Sequence, residues 1–179
     1  MKKLITLLLL LTLTIVSYGQ TKLDMLVFKA INEYRVDHGV DPLVFDSLVW
    51  NAAEHHSSYL HDNGYPYNYP LSSGHFELEL EYPSDRLAHF GVDWVGVSGE
   101  CVAMWGGRKT DIENVKEVVR LWDSSPSHKK GMLTPDVDRL AISLVGVYSE
   151  TDVSWVTNGV VSTYKMSGTK YIATLLVVR

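Results

Sequence analysis

Apolar residues recur every three to four positions through the first two thirds of the chain, then crowd into β-branched runs after about residue 139. Leu23, Val27, Ile31 and Tyr34, broadened by Met25, Phe28 and Ala30, predict a first helix. Thr21-Lys22-Leu23-Asp24 has the form of a capping box that would open it, and His38-Gly39 would close it. Val40 to Val44 reads as a short extended link. Asp46 or Ser47 then caps a second helix with Val49, Ala52, Ala53, His56 and Leu60 on its inner face, stopped by Asn63-Gly64. Residues 64–83 hold three of the six prolines and four tyrosines, which predicts a long ordered loop. "SDRLAHFG" is a short capped turn of helix, and "SGECVAMWGG" a small strand or turn between glycines. Thr110-Asp111-Ile112-Glu113 opens a further helix with Ile112, Val115, Val119 and Trp122 at helical spacing. "RLAISLVGVY", "VSWVTNGVVSTYKM" and "KYIATLLVVR" predict an antiparallel meander, with Asn158-Gly159 as a hairpin turn or a bulge.

Helices first and strands last predict an α+β domain. The chain's start stands apart from that pattern. Lys2 and Lys3 precede a leucine-rich run to Val16, and Ser17-Tyr18-Gly19 supplies small residues before Gln20. Residues 1–19 read as a cleaved secretory signal peptide, leaving one domain over residues 20–179 in the periplasm or the medium. No later run is apolar enough to span a membrane once that signal is removed. Without Lys2 and Lys3 the formal charge moves from -5 to -7, and no basic run occurs, so the footprint of a nucleic-acid binder is missing. Cys101 is the single cysteine, so packing rather than an internal disulfide must hold the domain.

Three ionisable residues occupy unusual settings. His75 lies late in the tyrosine-proline loop, Glu100 sits between a glycine and an apolar run, and His128 follows the helix stop in "LWDSSPSHKKGML". Two imidazoles and a carboxylate suit either a divalent metal such as zinc or acid–base work on a small ligand. The bland alternatives are an exposed loop histidine, a carboxylate pinning a loop, and a histidine capping the preceding helix. His56 reads as a hydrogen-bonded core histidine, His55, His61 and His89 as surface residues, and Arg86 as a fixer of local structure. Cys101 beside Glu100 reads as a buried small hydrophobe more than a nucleophile.

Taken together, these segments resemble the CAP superfamily (cysteine-rich secretory proteins, antigen 5 and pathogenesis-related 1) in its bacterial SCP-domain form. "AINEYRVDHGVDPLVFDSLVWNAAEHHSSYL" resembles the family's opening, with an asparagine and an arginine on the first helix, a Gly-x-x-x-Leu link and Ala-x-x-His-Ser on the second. "PSDRLAHFG" is similar to its Arg-x-x-x-x-Gly step. "GECVA" resembles Gly-Glu-Asn-hydrophobic-Ala with Cys101 for asparagine, and "VVRLWDSSPSHKKGML" resembles Trp-x-x-Ser-Pro-x-His-Arg with Lys129 for arginine.

The resemblance implies a three-layer α-β-α sandwich with a central, mostly antiparallel sheet. It also implies a cleft lined by a His/Glu tetrad. His75, Glu100 and His128 fall on three of the four places. Plant and animal members carry the second glutamate where Ser125 stands here, as it does in many bacterial members. As implied roles, all three line a small-molecule or lipid-like ligand site, and His75 and His128 hold a divalent metal. Glu100 and His128 are the catalytic candidates of a metal-assisted hydrolase with Glu100 as general base. A cell-envelope interaction module with a vestigial site is the remaining alternative.

Overall fold

The computed structural model describes residues 21–65, 73–96, 98–107, 110–157 and 160–179, so the signal-peptide reading of residues 1–19 and the Asn158-Gly159 turn lie outside the described residues. Helix α1 spans Lys22–Asp37 and opens on the expected capping box. Its Asp24 does more than cap. The buried carboxylate takes the Leu144 N–H at 2.9 Å and the Trp50 indole N–H at 3.1 Å, tying the helix start to two other elements. Asn32 and Leu43 exchange two hydrogen bonds of 2.9 Å, which fixes the extended link and the two-residue strand β1 (Val44–Phe45). Asp46, rather than Ser47, caps α2 (Ser47–Asp62) by accepting the N–H groups of Leu48 and Val49.

Helix α3 (Pro83–His89), strand β2 (Ser98–Gly107) and helix α4 (Asp111–Asp123) follow. The chain after α4 does not simply stop. Ser124 and Ser125 satisfy the last carbonyls of α4, through N–H groups on Arg120 and Trp122 and the Ser124 hydroxyl on Leu121. Pro126 then starts a second short helix, α5 (Pro126–Met132), since proline suits the first helical turn where its missing N–H is no loss. His128 therefore sits inside a helix rather than past the end of one, and the carbonyls that a capping histidine would take are already bonded.

The tail forms two 19-residue strands, β3 (Arg139–Thr157) and β4 (Val160–Val178), in place of a meander of three shorter runs. The segments that read as turns pair with one another, Ser149 opposite Gly168 and Glu150 opposite Ser167, so their backbone groups are satisfied across the ribbon. Local composition does not show such cross-strand partners. The sheet order is β1-β3-β4-β2, with β1 parallel to β3 and the other pairs antiparallel.

Alternation along the strands makes three layers. Leu140, Ile142, Leu144, Ala173, Leu175 and Val177 join Val27 and Ile31 of α1, Val118 and Trp122 of α4 and Met132. Ala141, Leu176 and Val178 face Val49, Trp50, Ala52 and Ala53 of α2 and Leu87 of α3 on the other side. The sandwich of helices around a mostly antiparallel sheet is thus as the sequence implied. Buried Arg35 locks the end of α5, donating to the carbonyls of Met132 at 2.6 Å and Thr134 at 3.1 Å.

Candidate functional site: a buried ion cluster beneath two histidines

Glu100 is the third residue of β2, and its side chain is only 2% exposed. Such a carboxylate is stable as an ion only with partners for both oxygens. One oxygen takes the His75 Nδ1 contact at 2.9 Å, and the other takes the Arg86 guanidinium at 2.5 Å. Arg86, fully buried on α3, also donates to the Leu80 carbonyl at 3.1 Å and the His75 carbonyl at 3.4 Å. The guanidinium therefore holds both the carboxylate and the loop that presents His75. His56 of α2 completes this side, with Nε2 at 3.7 Å from the Glu100 carboxylate.

Sequence reasoning passed over Glu77. It is 2% exposed, and its carboxylate meets His56 Nδ1 at 2.6 Å, His55 Nε2 at 3.0 Å and Arg86 Nη1 at 3.5 Å. His56 donates Nε2–H to the Gly74 carbonyl at 2.8 Å, because a carbonyl can only accept. The short Nδ1 contact to Glu77 then needs one more proton, on the imidazole or on the carboxyl. With that proton the buried set balances two acids against two bases. The lone available signal was the alternation in "HFELELEY", where Glu77 and its exposed neighbours look alike. His56 is the core histidine expected, whereas His55 is half-buried on Glu77 rather than a plain surface residue.

The structure brings the three site candidates together. The His75 and His128 ring centres lie 6.4 Å apart, and the His75 side chain is 38% exposed. Burial lowers the His128 pKa below the usual histidine value, with the nearby His75 charge adding to it, so His128 presents a neutral ring. Burial pushes the Glu100 carboxyl up, but the His75 hydrogen bond, His56 and Arg86 together outweigh it and leave the pKa below the usual glutamate value. With both oxygens engaged, Glu100 is suited to orienting His75 rather than to taking up a proton.

Among the described residues no three His, Cys, Asp or Glu side chains form a set able to hold a metal ion. The His75–His128 pair supplies two imidazoles, since Arg86 already neutralises the carboxylate. That pair suits a borderline ion such as zinc whose remaining positions are filled by water or ligand atoms. Cys101 is buried, and burial followed by the Glu100 charge pushes its thiol up to about 12, so it is no thiolate nucleophile at neutral pH. Its sulfur instead packs beneath α5, 3.5 Å from the His128 carbonyl. Ser125, at the place of the absent second glutamate, precedes α5 and its hydroxyl meets that of Ser127 at 3.1 Å.

The family model for the cysteine-rich secretory protein (CAP) family matches residues 28–161, which takes in every site residue named above. The chain belongs to the CAP family. Among solved structures it is similar to an extracellular SCP-domain protein of Bacillus anthracis, with a TM-score of 0.60 at 20% identity over 88% of this chain and 40% of that one. An outer surface protein of Borrelia burgdorferi gives 0.58 at 20% identity, covering 90% of this chain and 96% of that one. A cysteine-rich secretory protein of Staphylococcus aureus gives 0.51 at 13% identity, over 91% of this chain and 40% of that one. This chain thus spans well under half the length of the Bacillus and Staphylococcus proteins. No curated protein matches it in sequence. Among the described residues of this CAP domain no helix is long and apolar enough to cross a membrane.

The shifts of His128 and Glu100 give the CAP domain an acid-sensitive stability. His128 ionises less readily folded than unfolded, so stability is full above its ordinary value near 6.5 and declines as pH falls below it. Glu100 has a depressed folded pKa, so its contribution is present above 4.5 and is lost as pH falls through the folded value. Urea midpoints measured from pH 8 to pH 3 are expected to fall in two steps, with Glu100→Gln flattening the lower one. An unchanged lower step in that variant would contradict the assignment.

Proposed function

We propose that this CAP-domain protein is exported and binds a small or lipid-like ligand at the His75–His128 cleft. The observation that carries the reading is the unequal exposure of one connected set. Glu100 and Arg86 are buried and spent on each other, while the His75 ring they orient stays 38% open beside His128. Energy is thus spent on holding an imidazole where a ligand reaches it, and preorganised polar groups confer orientation at low entropic cost. The loop that carries His75 also exposes the apolar side chains of Leu78 and Tyr82. Export is supported by the leader-like residues 1–19 and by the described extracellular or surface setting of two structural neighbours.

A zinc ion at this cleft would be held by His75 and His128, and its chemistry there would be to polarise a ligand oxygen. A hydrolytic role for Glu100 and His128 would require the carboxylate to leave Arg86, so the geometry favours binding over catalysis. Decanoate and Zn²⁺ titrations followed through the histidine ring nitrogens by NMR test the reading. The His75 and His128 signals are expected to move together, and His128→Ala is expected to weaken binding at least tenfold. Ring signals unmoved by both probes would end the proposal.

A further inference from the structure

The arrangement around Glu100 occurs a second time around Glu77. His55 and His89 ring centres lie 6.5 Å apart, with ring planes 32° from parallel, close to the 6.4 Å of the cleft pair. His55, like His75, is 38% exposed and is held through one ring nitrogen by a buried carboxylate, here Glu77 at 3.0 Å. Phe90 packs against both rings, with centres 5.6 Å from His55 and 4.9 Å from His89. Among the described residues Nδ1 of His55 and both ring nitrogens of His89 make no hydrogen bond, and His89 is exposed at the last position of α3.

A histidine fixed by a carboxylate through one nitrogen presents the other as a more basic, correctly oriented donor, as second-shell carboxylates do at metal sites. Two imidazoles on one tetrahedral ion have centres roughly 5 Å apart, given a metal–nitrogen distance near 2.0–2.1 Å. Closing the present 6.5 Å to that distance requires the exposed His89 ring to move toward His55, which Glu77 holds in place. Phe90 supplies an apolar neighbour to both rings. Neutral imidazole pairs without thiolates or free carboxylates select zinc, copper or nickel over magnesium or calcium.

We propose that His55 and His89 form a second site for a divalent transition-metal ion on the outer face of α2 and α3, distinct from the cleft. Glu77 is its positioning residue, and Arg86, touching Glu77 at 3.5 Å and Glu100 at 2.5 Å, lies between the two sites. The inference stands independently of the cleft reading, because it uses neither His75 nor His128.

Zn²⁺ titration of the full chain, read on histidine ring nitrogens by NMR, tests it. The His55 and His89 signals are expected to shift together and saturate. His89→Gln, a change at an exposed residue, is expected to weaken that event at least tenfold while leaving the His75 and His128 signals as in wild type. In His128→Ala the His55–His89 event is expected to persist. Failure of the cleft reading alone would thus leave this event in place. Zinc binding at His55 within twofold of wild type in His89→Gln, or no shift of either ring in wild type, overturns the proposal.

Discussion

Arg86→Met is expected to destabilise the domain by about 3–5 kcal/mol, the cost of removing one partner from a buried ionic set. The guanidinium is fully buried and is the shared cation of Glu77 and Glu100, both 2% exposed or less at the side chain. Methionine keeps much of the volume and adds no charge, so the loss isolates electrostatics from packing. The bond to the Leu80 carbonyl goes as well, which frees the loop that carries His75. Urea unfolding of the single variant and of Arg86→Met with Glu100→Gln checks the cause. Neutralising the stranded carboxylate should recover a large part of the loss, since the two changes act on one interaction. A double variant as unstable as the sum of the singles would show that Arg86 acts through packing alone. Arg86 Nε, buried without a partner among the described residues, implies that the site gives up some hydrogen bonding to place the two Nη groups.

Trp122→Ala should be of similar size, about 3–5 kcal/mol, for a different reason. Trp122 is fully buried where α4 meets α1 and the sheet, among Val27, Ile31, Val118 and Met132. An alanine leaves a cavity that the surrounding layers fill only in part. The indole N–H has no partner among the described residues, so Trp122→Phe removes an unmet donor along with some volume and is expected to cost about 1 kcal/mol. Because Trp122 is one turn before Pro126, the alanine variant should also shift the His128 ring signals, while Phe should leave them in place. Equal losses for Ala and Phe would refute the cavity argument.

Much of the site was legible before any coordinates. His75, Glu100 and His128 stood out because each broke a local pattern, and a histidine after Ser-Pro has no local reason to be there. Arg86 was legible as a fixer because a basic residue on a short capped helix needs acceptors. Glu77 was not, since "FELELE" alternates without any mark that one of three glutamates turns inward. Its burial depends on His55, His56 and Arg86, which are far away in sequence. The second helical turn at Pro126 was missed because proline after a helix reads as a stop, whereas at a first helical position it is a start.

Local rules acting on the sequence by itself determined the helices, their caps and the strand-forming tail, because capping and periodicity depend on residues within a few positions. The family motifs, also local, implied the layered architecture. Tertiary structure alone decided which carboxylates lose their water, that one guanidinium serves both, and that His55, His56 and His75 gather on them. Those outcomes turn on charges brought together from distant segments, whose energies exist only once the layers have closed.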